Sequence, residues 1–149
     1  MLCFSTGEAM KVFRKDADYA VRTLIYLALR NGADYVSAMT LSKELGLPTN
    51  FLRRICSTLI KEKILETREG KSGGVRFVKS PADVTVLQLI ELFDGKPEFS
   101  DCTFRKKLCS NRKTCVLRKR ILGIEDIINR EFAAITIRTL IDDLTEPQS

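Results

Sequence analysis

The sequence predicts a mainly α-helical fold with a small β-hairpin wing: a winged helix-turn-helix followed by a long dimerisation helix. Three observations carry this. Two helical stretches meet at a Gly turn in VSAMTLSKELGLPTNFLRRICSTLIKEK. Two short β-rich runs, ILETREG and VRFVKSP, flank the Gly-containing tip KSGG. Further on, Leu117, Ile121, Ile124 and Ile128 recur at spacings of four, three and four, near the 3.5-residue period that pairs helices.

Taken in order, the first helix runs from Asp16 to Leu29. Val21, Leu24, Ile25 and Ala28 mark its apolar stripe, and Asn31-Gly32 closes it. The helix-turn-helix comprises a short helix from about Ser37 to Leu45, a stop at Gly46, and a second helix from about Pro48 to Lys63. Ser37 suits the N-cap, Gly46 the left-handed C-terminal residue, and Pro48 the next start. After the hairpin, Thr85 and Gln88 read as a capping box opening a helix with Val86, Leu89, Ile90 and Phe93 on its apolar side. Residues 96–114 lack periodicity and read as a loop. The paired-helix seam then runs from Cys115 to about Arg130, and a last helix capped by Thr136 carries Ile137, Leu140, Ile141 and Leu144. The expected organisation is an extension over 1–10, a DNA-binding unit over 11–95, a cysteine loop over 96–115, and dimerisation and C-terminal helices over 116–149.

Composition narrows the function. The 149 residues suffice for a real core, so no covalent or metal staple is required for folding. A formal charge of +6 points to an acidic partner. No stretch approaches the roughly 18 apolar residues of a membrane span, and MLCFSTGEAMK lacks the charged start and apolar block of a secretory signal, so a cytoplasmic protein is expected. The chain has no histidine, no plausible nucleophile-base pair and no phosphate-cradling Gly loop, which argues against an enzyme.

On the second helix of the helix-turn-helix, Phe51, Leu52, Ile55, Cys56, Leu59 and Ile60 fall on one side. Asn50, Arg53, Arg54, Ser57 and Lys61 fall on the other. Between Pro48 and Ser80 eight basic residues face three acids. Such a run is often only a solvated surface, but here it lies on the helix and hairpin with which such folds meet double-stranded DNA. The candidate contacts are Thr49, Asn50, Phe51, Arg53, Arg54 and Lys61 on the helix, and Arg68, Lys71, Ser72, Gly73 and Arg76 on the hairpin. Arg53 and Arg54 can donate in pairs to guanine, Asn50 can read adenine, and Arg68 and Lys71 can reach a minor groove.

The stretch CTFRKKLCSNRKTC places Cys102, Cys109 and Cys115 in a C-x6-C-x5-C array. A disulfide framework fits poorly with five cysteines in a reducing compartment. Zinc prefers a tight two-to-four-residue gap and a full set of four ligands. An iron-sulfur cluster accepts thiolates from longer loops, and the five bases within the array would offset its negative charge. Unligated thiols and a directly reactive thiol switch remain alternatives.

Several segments together resemble the Rrf-type family of bacterial winged-helix transcription regulators. They are KDADYAVRTLIYLA, LSKELGLPTNFLRRICSTLIKEKIL, TREGKSGGVRFVKSPADVTVLQLIE and the three cysteines ahead of the long helix, and the likeness spans Met10 to Leu144. It implies a homodimer on a palindromic operator, most often a repressor, with one iron-sulfur cluster (2Fe-2S or 4Fe-4S) per subunit held by Cys102, Cys109 and Cys115. Iron-regulating members place a histidine three residues beyond the last cysteine, where this chain has Arg118. Members that sense nitric oxide use an aspartate near the start of the first helix, donated by the partner subunit, and the matching residue is Asp18. The residue's own reading is an acid stabilised by the helix dipole. The resemblance also admits members that respond to a partner protein or a metabolite without metal, and an electron-transfer protein with an incidental basic face is a further alternative. The chain departs from the pattern at Gly73-Gly74-Val75, where GGY is usual, and at Arg53 and Arg54, where acidic or amide residues are common. Met10 resembles the usual family start, which leaves Cys3 in the extension.

Overall fold

A computed structural model describes residues 13–30, 34–97 and 115–146. The central helix α1 (Lys15–Leu29) buries Ala17, Ala20, Val21, Leu24 and Leu27, and most of the other helices and the second hairpin strand pack against it. Two acids, Asp16 and Asp18, sit in its first turn, where the helix dipole favours them. The Arg14 backbone N–H ahead of it donates to Asp94 Oδ2 at 2.9 Å. The helix ends at Arg30, and Asn31-Gly32 lies outside the described residues.

The helix-turn-helix consists of α2 (Ala38–Leu45) and α3 (Thr49–Lys61). Ser37 Oγ accepts from the Thr40 N–H, and Gly46 stops α2 at φ +64°, as its sequence position predicts. Ser42 Oγ donates to the Leu47 carbonyl at 2.6 Å, and Thr49 Oγ1 donates to Ser42 Oγ at 3.0 Å, so side chains of both helices brace the turn. Leu52, Ile55, Cys56 and Leu59 of α3 are buried as expected, whereas Phe51 is 42% exposed.

A residue without a sequence signal ends α3. Lys63 adopts φ +56°, placing its N–H on the Ile60 carbonyl and the Ile64 N–H on the Leu59 carbonyl. This is the left-handed exit usually given to glycine or asparagine. It turns the chain into β1 (Leu65–Arg68), which pairs antiparallel with β2 (Gly74–Phe77) in the register Leu65 to Phe77, Glu66 to Arg76, Thr67 to Val75 and Arg68 to Gly74. Val36, just ahead of α2, bridges Val75 through two hydrogen bonds of 2.9 Å. A Cβ on Gly74 would lie 2.3 Å from the Val36 carbonyl oxygen, and one on Gly73 would lie 2.2 Å from the Arg68 carbonyl oxygen. The paired glycines are therefore imposed by close backbone approach.

A short 3₁₀ turn (Pro81–Asp83) leads into α4 (Val86–Asp94), which lies against α1. Thr85 Oγ1 accepts from the Gln88 N–H, the N-cap half of the expected box. The reciprocal box forms instead at Thr136 and Thr139, where threonine hydroxyls serve both partners. Helix α5 (Val116–Ala134) runs four residues beyond the expected end at Arg130 and meets α4 through Phe132 and Ile135. Helix α6 (Ile137–Thr145) then returns to α1 and buries Ile137 in the main core. Backbone bonds of 2.9 Å from Val86 N–H to the Ile135 carbonyl and from Ile137 N–H to the Val84 carbonyl join the starts of α4 and α6. Packing is thus continuous across residue 95.

Two substitutions test these backbone constraints. Lys63→Gly should raise stability by about 1 kcal/mol in urea denaturation, because it relieves the left-handed conformation. Gly74→Ala, at φ +150° and against the Val36 carbonyl, should lower it by at least ~2 kcal/mol.

Candidate functional site

Amphipathic α3 places its buried stripe against the core and so turns Asn50, Arg53, Ser57 and Lys61 to solvent. Arg53 makes no side-chain hydrogen bond or ion pair among the described residues. Arg54 is differently placed. Its Nη2 donates to both carboxylate oxygens of Asp16, at 2.7 and 2.8 Å, and its guanidinium lies 5.0 Å from the Phe51 ring centre. Phe51 in turn meets Tyr19 edge-on, with centroids 6.3 Å apart. The expected core residue Phe51 is thus a surface platform that joins the outer side of α3 to the first turn of α1. Thr49 is spent on the turn, through its bond to Ser42.

The wing carries a second ordered cluster. Strand alternation puts Glu66, Arg68 and Arg76 on one face of the hairpin, and the Val36 bridge brings Tyr35 to it. The Tyr35 hydroxyl and Arg76 Nη2 both donate to Glu66 Oε1. Arg68 and Arg76 place their guanidinium carbons 4.3 and 5.0 Å from the centre of the Tyr35 ring. Arg68 Nη2 also donates to the Ser72 carbonyl at 3.0 Å. Lys71 and Ser72 lie exposed at the tip, and Gly73 follows. The bond from Tyr35, reinforced by Arg76, holds the Glu66 carboxyl below its ordinary pKa, and the same bond raises that of the Tyr35 phenol. The contact is therefore intact at neutral pH. It weakens as pH falls through the lowered Glu66 value or rises past the ordinary tyrosine range.

Tyr35, Glu66 and Asp16 were not among the residues expected to serve the site. The hairpin register pairs Glu66 with Arg76 and is readable once the strands are placed. Tyr35 and Asp16 reach their partners only through tertiary approach.

The expected cluster ligands divide. Cys102 and Cys109, with most of the 96–115 loop, lie outside the described residues, as does Cys3. Cys115 is exposed and caps α5, its Sγ accepting from the Arg118 N–H at 3.5 Å. The position expected to lack a histidine ligand thus contributes a backbone donor to the sulfur. Asp18, in the first turn of α1, pairs with Arg22 at 2.9 Å. No three His, Cys, Asp or Glu side chains converge as a metal site among the described residues. Cys56 is buried on α3, and desolvation pushes its thiol up to about 11, which leaves it inert.

Helix α5 exposes several apolar side chains among its charged ones. Val116, Leu117, Ile124 and Ile127 are exposed, while Ile121 and Ile128 are half-buried. No helix among the described residues is long and apolar enough to cross a membrane.

Comparison with known proteins agrees with this architecture. The family model Rrf2, described as iron-dependent transcriptional regulator, matches residues 13–143. The chain is 26% identical to the HTH-type transcriptional regulator NsrR of Bacillus licheniformis, over 78% of each chain. It is 25% identical to the transcriptional repressor NsrR of Streptomyces coelicolor, over 89% of this chain and 90% of that one. Among solved structures it resembles IscR of T. potens, with a TM-score of 0.69 and 19% identity over 92% of this chain and 93% of that one. It also resembles CymR, the global cysteine regulator of B. subtilis, with a TM-score of 0.70 and 19% identity over 90% of this chain and 98% of that one. With its winged helix-turn-helix and a match over almost its whole length, the chain belongs to the Rrf2 family of DNA-binding transcription regulators, which act by binding rather than catalysis.

Proposed function

We propose that this regulator is a cytoplasmic homodimeric repressor that binds a palindromic operator and adjusts its affinity through an iron-sulfur cluster. The observation that carries the DNA reading is the exposed polar side of α3, with Arg53 unpaired among the described residues and the basic wing beside it. In this reading α3 enters the major groove and the wing meets the flanking minor groove. Arg53 and Asn50 read bases. Arg54, already engaged by Asp16, acts on the backbone or on the placement of α3. The apolar side of α5 supports a second copy as its partner, with Leu117, Ile121, Ile124 and Ile128 as the seam.

Cys102, Cys109 and Cys115 are the thiolate ligands of this proposal, with Asp18 of the partner subunit completing the set. The described member fits: Cys115 presents an exposed sulfur at the head of a 19-residue helix, where the dipole suits an anionic ligand. The donor set of three thiols and one carboxylate also suits iron, the oxygen ligand leaving one iron more open to exchange. A bound cluster would supply redox and nitric-oxide reactivity at iron. The chain's own part would be to supply the α5-head thiolate to the cluster of its own subunit and to offer Asp18, traded from its pair with Arg22, to the cluster of the other. A thiol switch without metal is the second reading, favoured by the exposure of Cys115.

Three measurements follow from this reading. Anaerobic purification should yield a coloured protein containing iron and acid-labile sulfide; a colourless protein after anaerobic reconstitution would leave the thiol switch in its place. Arg53→Ala should weaken binding to a duplex selected from a random library by about 1–3 kcal/mol, and an unchanged affinity would remove Arg53 from the reading set. In the metal-free folded protein, iodoacetamide should modify Cys115 quickly and Cys56 only on unfolding, as followed by peptide mass spectrometry.

A further inference from the structure

We infer that Tyr35 is the positioning residue of the wing, its ring holding the Arg68 guanidinium in the geometry that meets DNA. The inference rests on the proposed reading that the wing contacts the duplex, and it concerns how one cation is selected and held there.

Four residues make the device. Tyr35, Glu66, Arg68 and Arg76 share the face formed by the hairpin and the Val36 bridge. Two guanidinium groups beside one ring would repel each other if both kept their full charge. Glu66 resolves this by pairing with Arg76, and that leaves Arg68 without an ion pair among the described residues. Arg68 lies closer to the ring, at 4.3 Å against 5.0 Å for Arg76. Its only hydrogen bond among the described residues is to a neutral acceptor, the Ser72 carbonyl.

Most of the five donors of its planar group are thus left for an outside acceptor. The tyrosine hydroxyl is anchored in turn, because it donates to the carboxylate that neutralises Arg76. Hydroxyl fixes ring, and ring fixes arginine. Lys71, two residues into the tip, is exposed and has no such support among the described residues. An open groove of about 440 Å³ lies alongside, lined by Arg30, Tyr35, Ser37, Arg68 and Lys71, with Asp34 as its one acid among the described residues. Its cationic lining and its place beside Arg68 suit a polyanionic strand passing the wing.

A mutant cycle on the full-length protein tests this, with a duplex selected from a random-sequence library as the probe. Arg68→Ala should weaken binding by about fivefold or more. Tyr35→Leu should cause a loss of similar size, but no further loss when added to Arg68→Ala, whereas Tyr35→Phe, which keeps the ring but loses its hydroxyl anchor, should fall between Tyr35→Leu and the parent chain. If Tyr35→Leu costs the same in both backgrounds, or nothing in either, Tyr35 does not act through Arg68 and the inference is overturned while the wing reading stands. If Arg68→Ala binds as tightly as the parent chain, the wing reading fails and the inference falls with it. A second measurement does not depend on how Tyr35→Leu folds. The Arg68 Nε–H resonance of the unmutated protein, assigned with Arg68→Lys, should be ring-shifted both free and on the duplex, and an unshifted resonance overturns the inference.

Discussion

Two backbone hydrogen bonds between Val36 and Val75 hold the helix-turn-helix and the wing in one frame. Val36 immediately precedes the cap of α2, and Val75 lies in the second strand of the wing, so the bridge couples helix-turn-helix to hairpin without a side chain. Much follows from that approach. It forbids a Cβ at Gly74, and it carries Tyr35 onto the face of Glu66, Arg68 and Arg76. It also buries Val75, at the position where the family pattern commonly has an aromatic residue. An aromatic ring is still present beside the wing, but it arrives from the preceding segment as Tyr35 and serves two arginines.

The first turn of α1 organises the other side. Asp16 reaches across to Arg54 of α3, while Asp18, one step further on, engages Arg22 of its own helix. The Arg14 backbone ahead of them is tied to Asp94 at the end of α4. Helix α3 and the end of α4 thus converge on one helical turn. Exposed pairs of this kind contribute little to stability, of order 0–1 kcal/mol each. Their value lies in geometry: a change at the start of α1 has a short path to the outer side of α3. Such a path becomes coupling only if two arrangements of α1 differ in their affinity for a ligand at one end and for DNA at the other.

Much of this architecture was legible in the sequence because it is written in local signals. Ser37, Gly46 and the apolar stripe of α3 mark the helix-turn-helix through caps and periodicity, and Leu65 to Phe77 marks the hairpin through alternation and glycine. The exit from α3 was not legible, since lysine at φ +56° runs against local preference and is stabilised by the bonds that the turn makes. Nor was the exposure of Phe51, which periodicity assigned to the core and which instead carries Arg54. The basic surface was visible as composition, yet charge alone does not separate Arg53, exposed on α3, from Arg54, engaged by Asp16. The cysteine array was visible as spacing, and Cys115 takes the head of α5. The Thr136–Thr139 box was partly hidden, because threonine at the fourth position is a rarer partner than glutamate or glutamine.

In the proposed function, the state of the cysteine site sets the affinity for DNA. The most direct measurement is the dissociation constant of the same library-selected duplex for anaerobic cluster-loaded protein and for the cluster-free protein, at one salt concentration. The account predicts constants that differ by at least about fivefold, the lower range of allosteric coupling. Equal constants for two preparations that differ in iron and sulfide content would contradict it.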